Sequence, residues 1–177
     1  MRWAALRDLA TVGAVPELQR LRADHAPALL AFELANRAYF AASVSDRGDE
    51  FFEQFTDGIN AMLADQEAGV GAYYVLVGDD GSALGRFNLY RIADGTAELG
   101  YRVAEHVAGR GVATANVQEL CRLAAKEHGL RKLRAETNHE NVASQKVLQR
   151  AGFVPVGPAS PGGRPGIAYE RDLTASP

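Results

Sequence analysis

Six consecutive residues, Gly109-Arg110-Gly111-Val112-Ala113-Thr114, have the composition of an anion cradle. Glycine at 109 and 111 opens backbone conformations closed to other residues, and Ala113 keeps the surface small, so backbone N–H groups can approach a bound group closely. An apolar strand pattern ends just before this turn, at Val103, and a helical pattern starts directly after it. A glycine-rich turn between strand and helix aims N–H groups and the positive end of a helix dipole at one spot, which suits a phosphate. Such a turn alone has low specificity, and this one lacks the Lys-Ser/Thr ending of a nucleoside-triphosphate loop. Other chemistry is poorly supported. His25, His106, His128 and His139 have no metal-ligand spacing, with one another or with Cys121. Cys121 falls on a helix face expected to be buried, where a thiol packs and does not react.

The elements that must hold the turn follow in order along the chain. Residues 1 to 16 read as a short helix or a loose N-terminal arm, and 17 to 174 as a single domain. Glu17 to Arg22 alternates with period two, as a half-buried first strand does. Asp24 is the expected N-cap of a helix to about Ala38, with Pro27 in its first turn, and Ser43 to Asp49 is a polar loop. Phe51, Phe52, Phe55, Ile59, Met62 and Leu63 recur at three and four, giving a second helix that packs this stripe into the core and stops near Gly69. Three strands come next, at 72–77, 83–92 and 96–103, joined by Gly78-Asp79-Asp80-Gly81 and Ala93-Asp94-Gly95. A helix over 111–128 ends at Gly129-Leu130, a strand covers 130–137, and Asn141 caps another helix closed by Gly152-Phe153. Strands at 153–156 and 167–173 finish the chain, separated by a linker rich in proline and glycine. This order implies an α+β fold, a single sheet with helices on both faces.

Composition narrows the class. The chain has 177 residues, 47% hydrophobic, enough for one real core. Its net charge of -3 gives no basic excess for nucleic acid. No apolar run is long enough to cross a bilayer, and Met1 to Leu6 does not open a secretory leader. A single cysteine excludes an internal disulfide and suits a reducing compartment, so a cytoplasmic setting without membrane contact is expected.

Two blocks carry a family resemblance. Ala108-Gly109-Arg110-Gly111-Val112-Ala113 matches the Q/R-x-x-G-x-G/A pyrophosphate pattern of the GNAT superfamily at Gly111 and Ala113. The stretch from Asn138 to Phe153, with Asn138, Asn141, Ser144 and Gly152-Phe153, is similar to that family's N-x-x-N-x-x-S…G-F helix. The likeness covers nearly all of 17 to 173 and is greatest to the branch of ribosomal-protein N-terminal acetyltransferases. It implies a mixed, mostly antiparallel sheet of about seven strands, splayed in the middle, with acetyl-CoA as co-substrate and no metal. Coenzyme A would lie in the splay. Leu99, Tyr101 and Val103 would pair with the pantetheine arm through their backbone. Ala108, Gly109, Arg110, Gly111, Val112, Ala113 and Thr114 would hold the pyrophosphate. Asn138, Asn141 and Ser144 would reach the arm from the other side.

The implied reaction is attack of a neutral amine on a thioester. At physiological pH a lysine-like amine is only about one part in a thousand neutral, an α-amine about one part in five to ten. A base therefore matters more for the first. Two carboxylates are candidates, Glu136 at the end of the later strand and Glu98 at the start of the splayed one. A backbone N–H of the splayed strand would serve as oxyanion donor. Two residues depart from the family pattern. Ala108 replaces the Gln or Arg of the pyrophosphate pattern, and Leu148 stands where many members carry an acid tyrosine, which leaves Ser144 as candidate acid. Arg37, Tyr39 and Phe40, just before the Ser43–Asp49 loop, are the candidate acceptor-binding residues, although an exposed helix end explains the charge equally well. The leading acceptor is a protein or peptide N-terminal α-amine. The alternatives are a small-molecule amine and a non-catalytic acyl-CoA-binding module. A monomer or homodimer is expected.

Overall fold

The computed structural model describes residues 15–174, so nearly all of the expected N-terminal arm lies outside the described residues. Seven strands form one sheet in the order β1-β2-β3-β4-β5-β7-β6. They are β1 (Glu17–Arg20), β2 (Ala72–Val77), β3 (Ala83–Ala93), β4 (Thr96–Val103), β5 (Lys132–Asn138), β6 (Val154–Ala159) and β7 (Gly166–Asp172). Every neighbouring pair is antiparallel except β4 and β5. The expected fold class holds: α+β, mixed, mostly antiparallel, with helices on both faces.

Strand β2 shows why the sheet is covered on both sides. Tyr74 and Leu76 enter one core with Val117 and Leu120 of the long helix α5 (Val112–Lys126). Tyr73 and Val75 enter a second core with Leu29 and Phe32 of α1 (Ala26–Ala35). An unbroken apolar run is the pattern of a strand buried on both faces. Between β3 and β4, Asp94 and Gly95 both take positive φ, 53° and 76°, in the two-residue turn that matches strand twist.

The first two helical stretches are each broken where continuity was expected. Asp24 is not an N-cap. It sits inside a single 3-10 turn (Ala23–His25) with its carboxylate on Arg22 at 3.1 Å, and the His25 ring nitrogen accepts from the Arg22 N–H instead. Helix α1 then ends at Ala35, and α2 (Arg37–Ala41) restarts after Asn36, whose φ of -106° and ψ of 7° are not helical. Asn36 is buried with a purpose: its amide donates to the Phe32 carbonyl at 2.9 Å, and its oxygen accepts from the Glu105 N–H at 2.9 Å, just ahead of the glycine turn. The second stretch splits at Gln54 into α3 (Asp49–Glu53) and α4 (Phe55–Ala68), with Phe55 and Ile59 facing the core. Gly69, at φ 72°, ends α4 where expected.

Strands β4 and β5 pair only at Thr96–Lys132, Ala97–Leu133 and Glu98–Arg134. Beyond Glu98 they part, while β4 keeps its ladder with β3 up to Val103 and β5 keeps its ladder with β7 up to Asn138. Leu148 of α6 (Val142–Arg150), fully buried, lines the opening between them.

Candidate active site

The glycine turn leaves the end of β4 through a 3-10 turn (Glu105–Val107) and delivers Gly111 as the N-cap of α5. Gly109 and Gly111 adopt φ 72° and 77°, in the region where side-chain-bearing residues are strained. Nothing lies within 4 Å of where a Cβ would stand at either position, so conformation and not crowding calls for glycine. The first backbone bond of α5 runs from the Ala115 N–H to the Gly111 carbonyl (3.0 Å). The N–H groups of the turn before it are left for an outside acceptor, with the helix dipole behind them.

A cavity of about 410 Å³ opens over this turn. Ala108, Gly109, Gly111, Ala113 and Thr114 form one wall, and Tyr101, Val103, Asn141 and Ser144 another. Two expected contacts are placed differently. Arg110 is exposed and does not line the cavity, and Val112 packs against the core. Lys146 and Arg150 line it instead. They lie four apart on α6 and so share one face, a basic pair readable from spacing once α6 is placed.

The opening between β4 and β5 holds a second cavity of about 200 Å³, walled by Leu99, Gly100, Ala135, Glu136, Thr137 and Leu148 among others. Tyr101, Asn141, Ser144 and Val44 belong to both cavities. At this junction the Tyr101 hydroxyl lies 3.0 Å from Ser144 Oγ. Burial, slightly offset by Ser144, pushes the Tyr101 phenol up to about 12. It therefore remains protonated; either hydroxyl can donate across this contact, and when the phenol does, the serine proton is free to point at a ligand. The family pattern implies only a backbone role for Tyr101. Its hydroxyl depends on a contact 43 residues away that no motif carries.

Strand alternation sorts the remaining groups by face. Ala135 joins the core beneath α5, whereas Glu136 points to the opposite side, where Arg134 approaches it at 3.3 Å. Glu136 and Ser144 thus address the opening from opposite faces. Glu98 is placed apart from them, half exposed on Arg91 at 2.9 Å, in a shallow depression beside Tyr73 and Tyr90. Asn138 is fully engaged within the chain: it donates to the Ser43 carbonyl at 2.7 Å and accepts from the Asn141 N–H at 2.9 Å. Asn141 in turn accepts from the Ser144 N–H at 3.2 Å, so this chain of amides fixes the serine. Thr137 Oγ1, buried in the wall of the second cavity, has no hydrogen-bond partner among the described residues. No sequence signal marks it.

Tyr39 and Phe40 line the larger cavity as expected. Arg37 does not. Its fork is occupied by Asp46 (2.7 Å) and Asp49 (2.8 Å), and its cation lies over the Phe52 ring at 4.6 Å. Arg102, which no motif marks, lines the cavity in its place. The wall of small residues, the free N–H groups and the unpaired edge of β4 beyond Glu98 fit an acyl-CoA, with phosphate on the turn and the arm along the strand.

Comparison with known proteins agrees. A family model described as the acetyltransferase (GNAT) domain matches residues 17–154. No curated protein sequence matches the chain. Among solved structures it is similar to the ribosomal-protein-S5-alanine acetyltransferase from Vibrio fischeri, at TM-score 0.83 and 20% identity over 93% of this chain and 98% of that one. It is also similar to a ribosomal L7/L12 alpha-N-protein acetyltransferase in complex with coenzyme A, at 0.81 and 21% over 94% and 98%. A spermidine N-acetyltransferase chimera from Vibrio cholerae and hSSAT matches at 0.75 and 16% over 89% and 95%. At these identities the structural likeness concerns the fold. The family match spans more than three quarters of the sequence and contains both the glycine turn and the Asn141–Ser144 helix start, and by it the chain belongs to the GNAT acetyltransferases, enzymes that transfer acetyl from acetyl-CoA to an amine.

Proposed function

We propose that the protein acetylates the α-amine of a protein or peptide N-terminus. The observation that carries this reading is charge: among the described residues lining the two cavities, Glu136 is the only carboxylate. A polyamine keeps several ammonium groups and needs several anions to replace their hydration. One carboxylate matches one amine. An α-amine also requires less help to lose its proton than a lysine-like amine does.

In this reading the amine enters from the α1/α2 face and gives up a proton toward Glu136, directly or through one water. Nitrogen bonds to the acetyl carbon as the carbon–sulfur bond breaks, and N–H groups on the free edge of β4 stabilise the charge developing on the carbonyl oxygen. The departing sulfur meets Ser144 from the α6 face. Magnitudes decide what Ser144 and Tyr101 do there. Handing a proton from a phenol near 12 to a thiolate whose thiol pKa is about 8.5 is uphill by several kcal/mol, so the pair donates a hydrogen bond and keeps its protons.

Thiol release from acetyl-CoA, measured against peptides with free N-termini, N-terminally blocked lysine peptides, spermidine and small monoamines, tests the proposal. The expected order is free-N-terminus peptides first and spermidine last. Spermidine turned over faster than every peptide would sink it.

A further inference from the structure

Among the described residues, the larger cavity is lined by three cations, Arg102, Lys146 and Arg150, and by no carboxylate. Lys146 and Arg150 stand on α6, on the side of the glycine turn, where phosphates are expected. Arg102 comes from elsewhere. It follows Tyr101 on β4 and therefore points to the opposite face, where its guanidinium bonds Glu33 of α1 at 3.2 Å and lies 4.8 Å over the Phe40 ring. Glu33 is shared, because Arg86 holds its other oxygen at 2.7 Å. Two guanidiniums thus lean on one buried carboxylate, and one positive charge is left over. Arg47, stacked 4.6 Å over Phe51, faces the same small depression as Arg102 and makes no ion pair among the described residues. Asp46, which faces the same depression, and the exposed Asp49 are both held by Arg37. Burial, reinforced by Arg86 and only partly offset by Glu33, pushes the Arg102 pKa down, as expected of a cation short of a counterion.

We propose that Arg102, backed by Arg47, forms an anion subsite on the acceptor side that takes a carboxylate carried close to the reacting amine. This rests on the acceptor entering past Tyr39 and Phe40, as the proposed function has it. Two sources present that chemistry: an acidic side chain at the second position of a peptide, and the α-carboxylate of a free amino acid. Arg102 is set across the cavity from the pyrophosphate turn, so its preference is for the acceptor and not for the donor. A carboxylate gains a charge-assisted hydrogen bond there without displacing Glu33.

The experiment compares C-terminally amidated peptides Ser-Glu, Ser-Gln and Ser-Lys at saturating acetyl-CoA, alongside free serine and 2-aminoethanol. Wild-type kcat/KM should favour Ser-Glu over Ser-Gln by about tenfold, with Ser-Lys lower still. Raised salt should compress the series. In Arg102→Gln the Glu/Gln ratio should fall to about one, and in Arg47→Gln it should fall part of the way. Should Arg102→Gln not fold, the wild-type series and its salt dependence still decide. Peptides turned over with no preference for acid, or a ratio unchanged in Arg102→Gln, overturn the subsite and leave the N-terminal reading intact. Turnover of serine but of neither peptide nor 2-aminoethanol does the reverse.

Discussion

The two sides of the β4–β5 opening are built from different materials. The donor side is backbone: a left-handed glycine turn, the N–H groups at the start of α5, the free edge of β4, and a serine fixed by the Asn138–Asn141 amide chain. The acceptor side is charge set by side-chain pairing: Glu33 of α1 between Arg86 and Arg102 of distant strands, Arg37 between Asp46 and Asp49 of the following loop and helix start, and Glu136 beside Arg134. Backbone recognition needs particular conformations at particular positions, so it leaves local motifs. Charge recognition needs only a sum over side chains brought together by the fold. The first therefore states its ligand in the sequence, and the second does not.

The largest test of this division lies on the acceptor side. Glu136→Gln keeps shape and removes the base, and should lower kcat/KM for a peptide N-terminus by about a hundredfold while leaving acetyl-CoA affinity within twofold. The loss should shrink as pH rises and more of the amine is neutral at the start. A pH–rate profile identical to wild type would assign the base elsewhere, and Glu98 would be the next carboxylate to test.

Tyr101 sits where the two sides meet, and its proton can be followed. Its phenol is raised from 10.0 to about 12, chiefly by burial, so the folded chain keeps a proton that the unfolded chain releases from about pH 10. The stability tied to that proton is complete below pH 10 and is lost as pH climbs through 12, by roughly 3 kcal/mol. Urea midpoints compared between wild type and Tyr101→Phe should show wild type more stable at pH 8 and its advantage disappearing at pH 12. Tyr73 and Tyr74 are also raised by burial, but they contribute equally to both chains. In turnover, Tyr101→Phe and Ser144→Ala should each cost kcat about fivefold, and the double variant no more than either. Additive losses would show that the phenol does not act through the serine.

The same division explains how much was legible. The succession of elements along the chain, the Asp94–Gly95 turn and the Gly69 and Gly152 helix ends follow from local chemistry, and all are present. So are the glycine turn and the Asn141 cap. Asp24 is no cap because the 3-10 turn begins before it, with Arg22 at the N-cap position and the Arg22 guanidinium holding the Asp24 carboxylate, which composition does not reveal. The break at Asn36 was hidden because its reason is a bond to Glu105, 69 residues away. Arg37 was named for the acceptor because it is a cation near two aromatics. Only the fold shows that Asp46 and Asp49 close on it while Arg102 stays open to the cavity.

A comparably modest effect is expected on the donor side. Gly111 at φ 77° has open space where a Cβ would stand, so Gly111→Ala adds conformational strain without a clash. That strain is about 1 kcal/mol, roughly a fivefold change in an equilibrium, and it falls on the conformation that aims the N–H groups. Gly111→Val is strained further by branching at Cβ. Calorimetric acetyl-CoA affinity should therefore fall in the order Gly, Ala, Val, while the KM for the peptide acceptor stays within twofold. A mutation on the backbone side that changed acceptor KM as much as donor affinity would mean the two sides are not separately built, because strain at the N-cap of α5 would then reach Arg102 across the sheet.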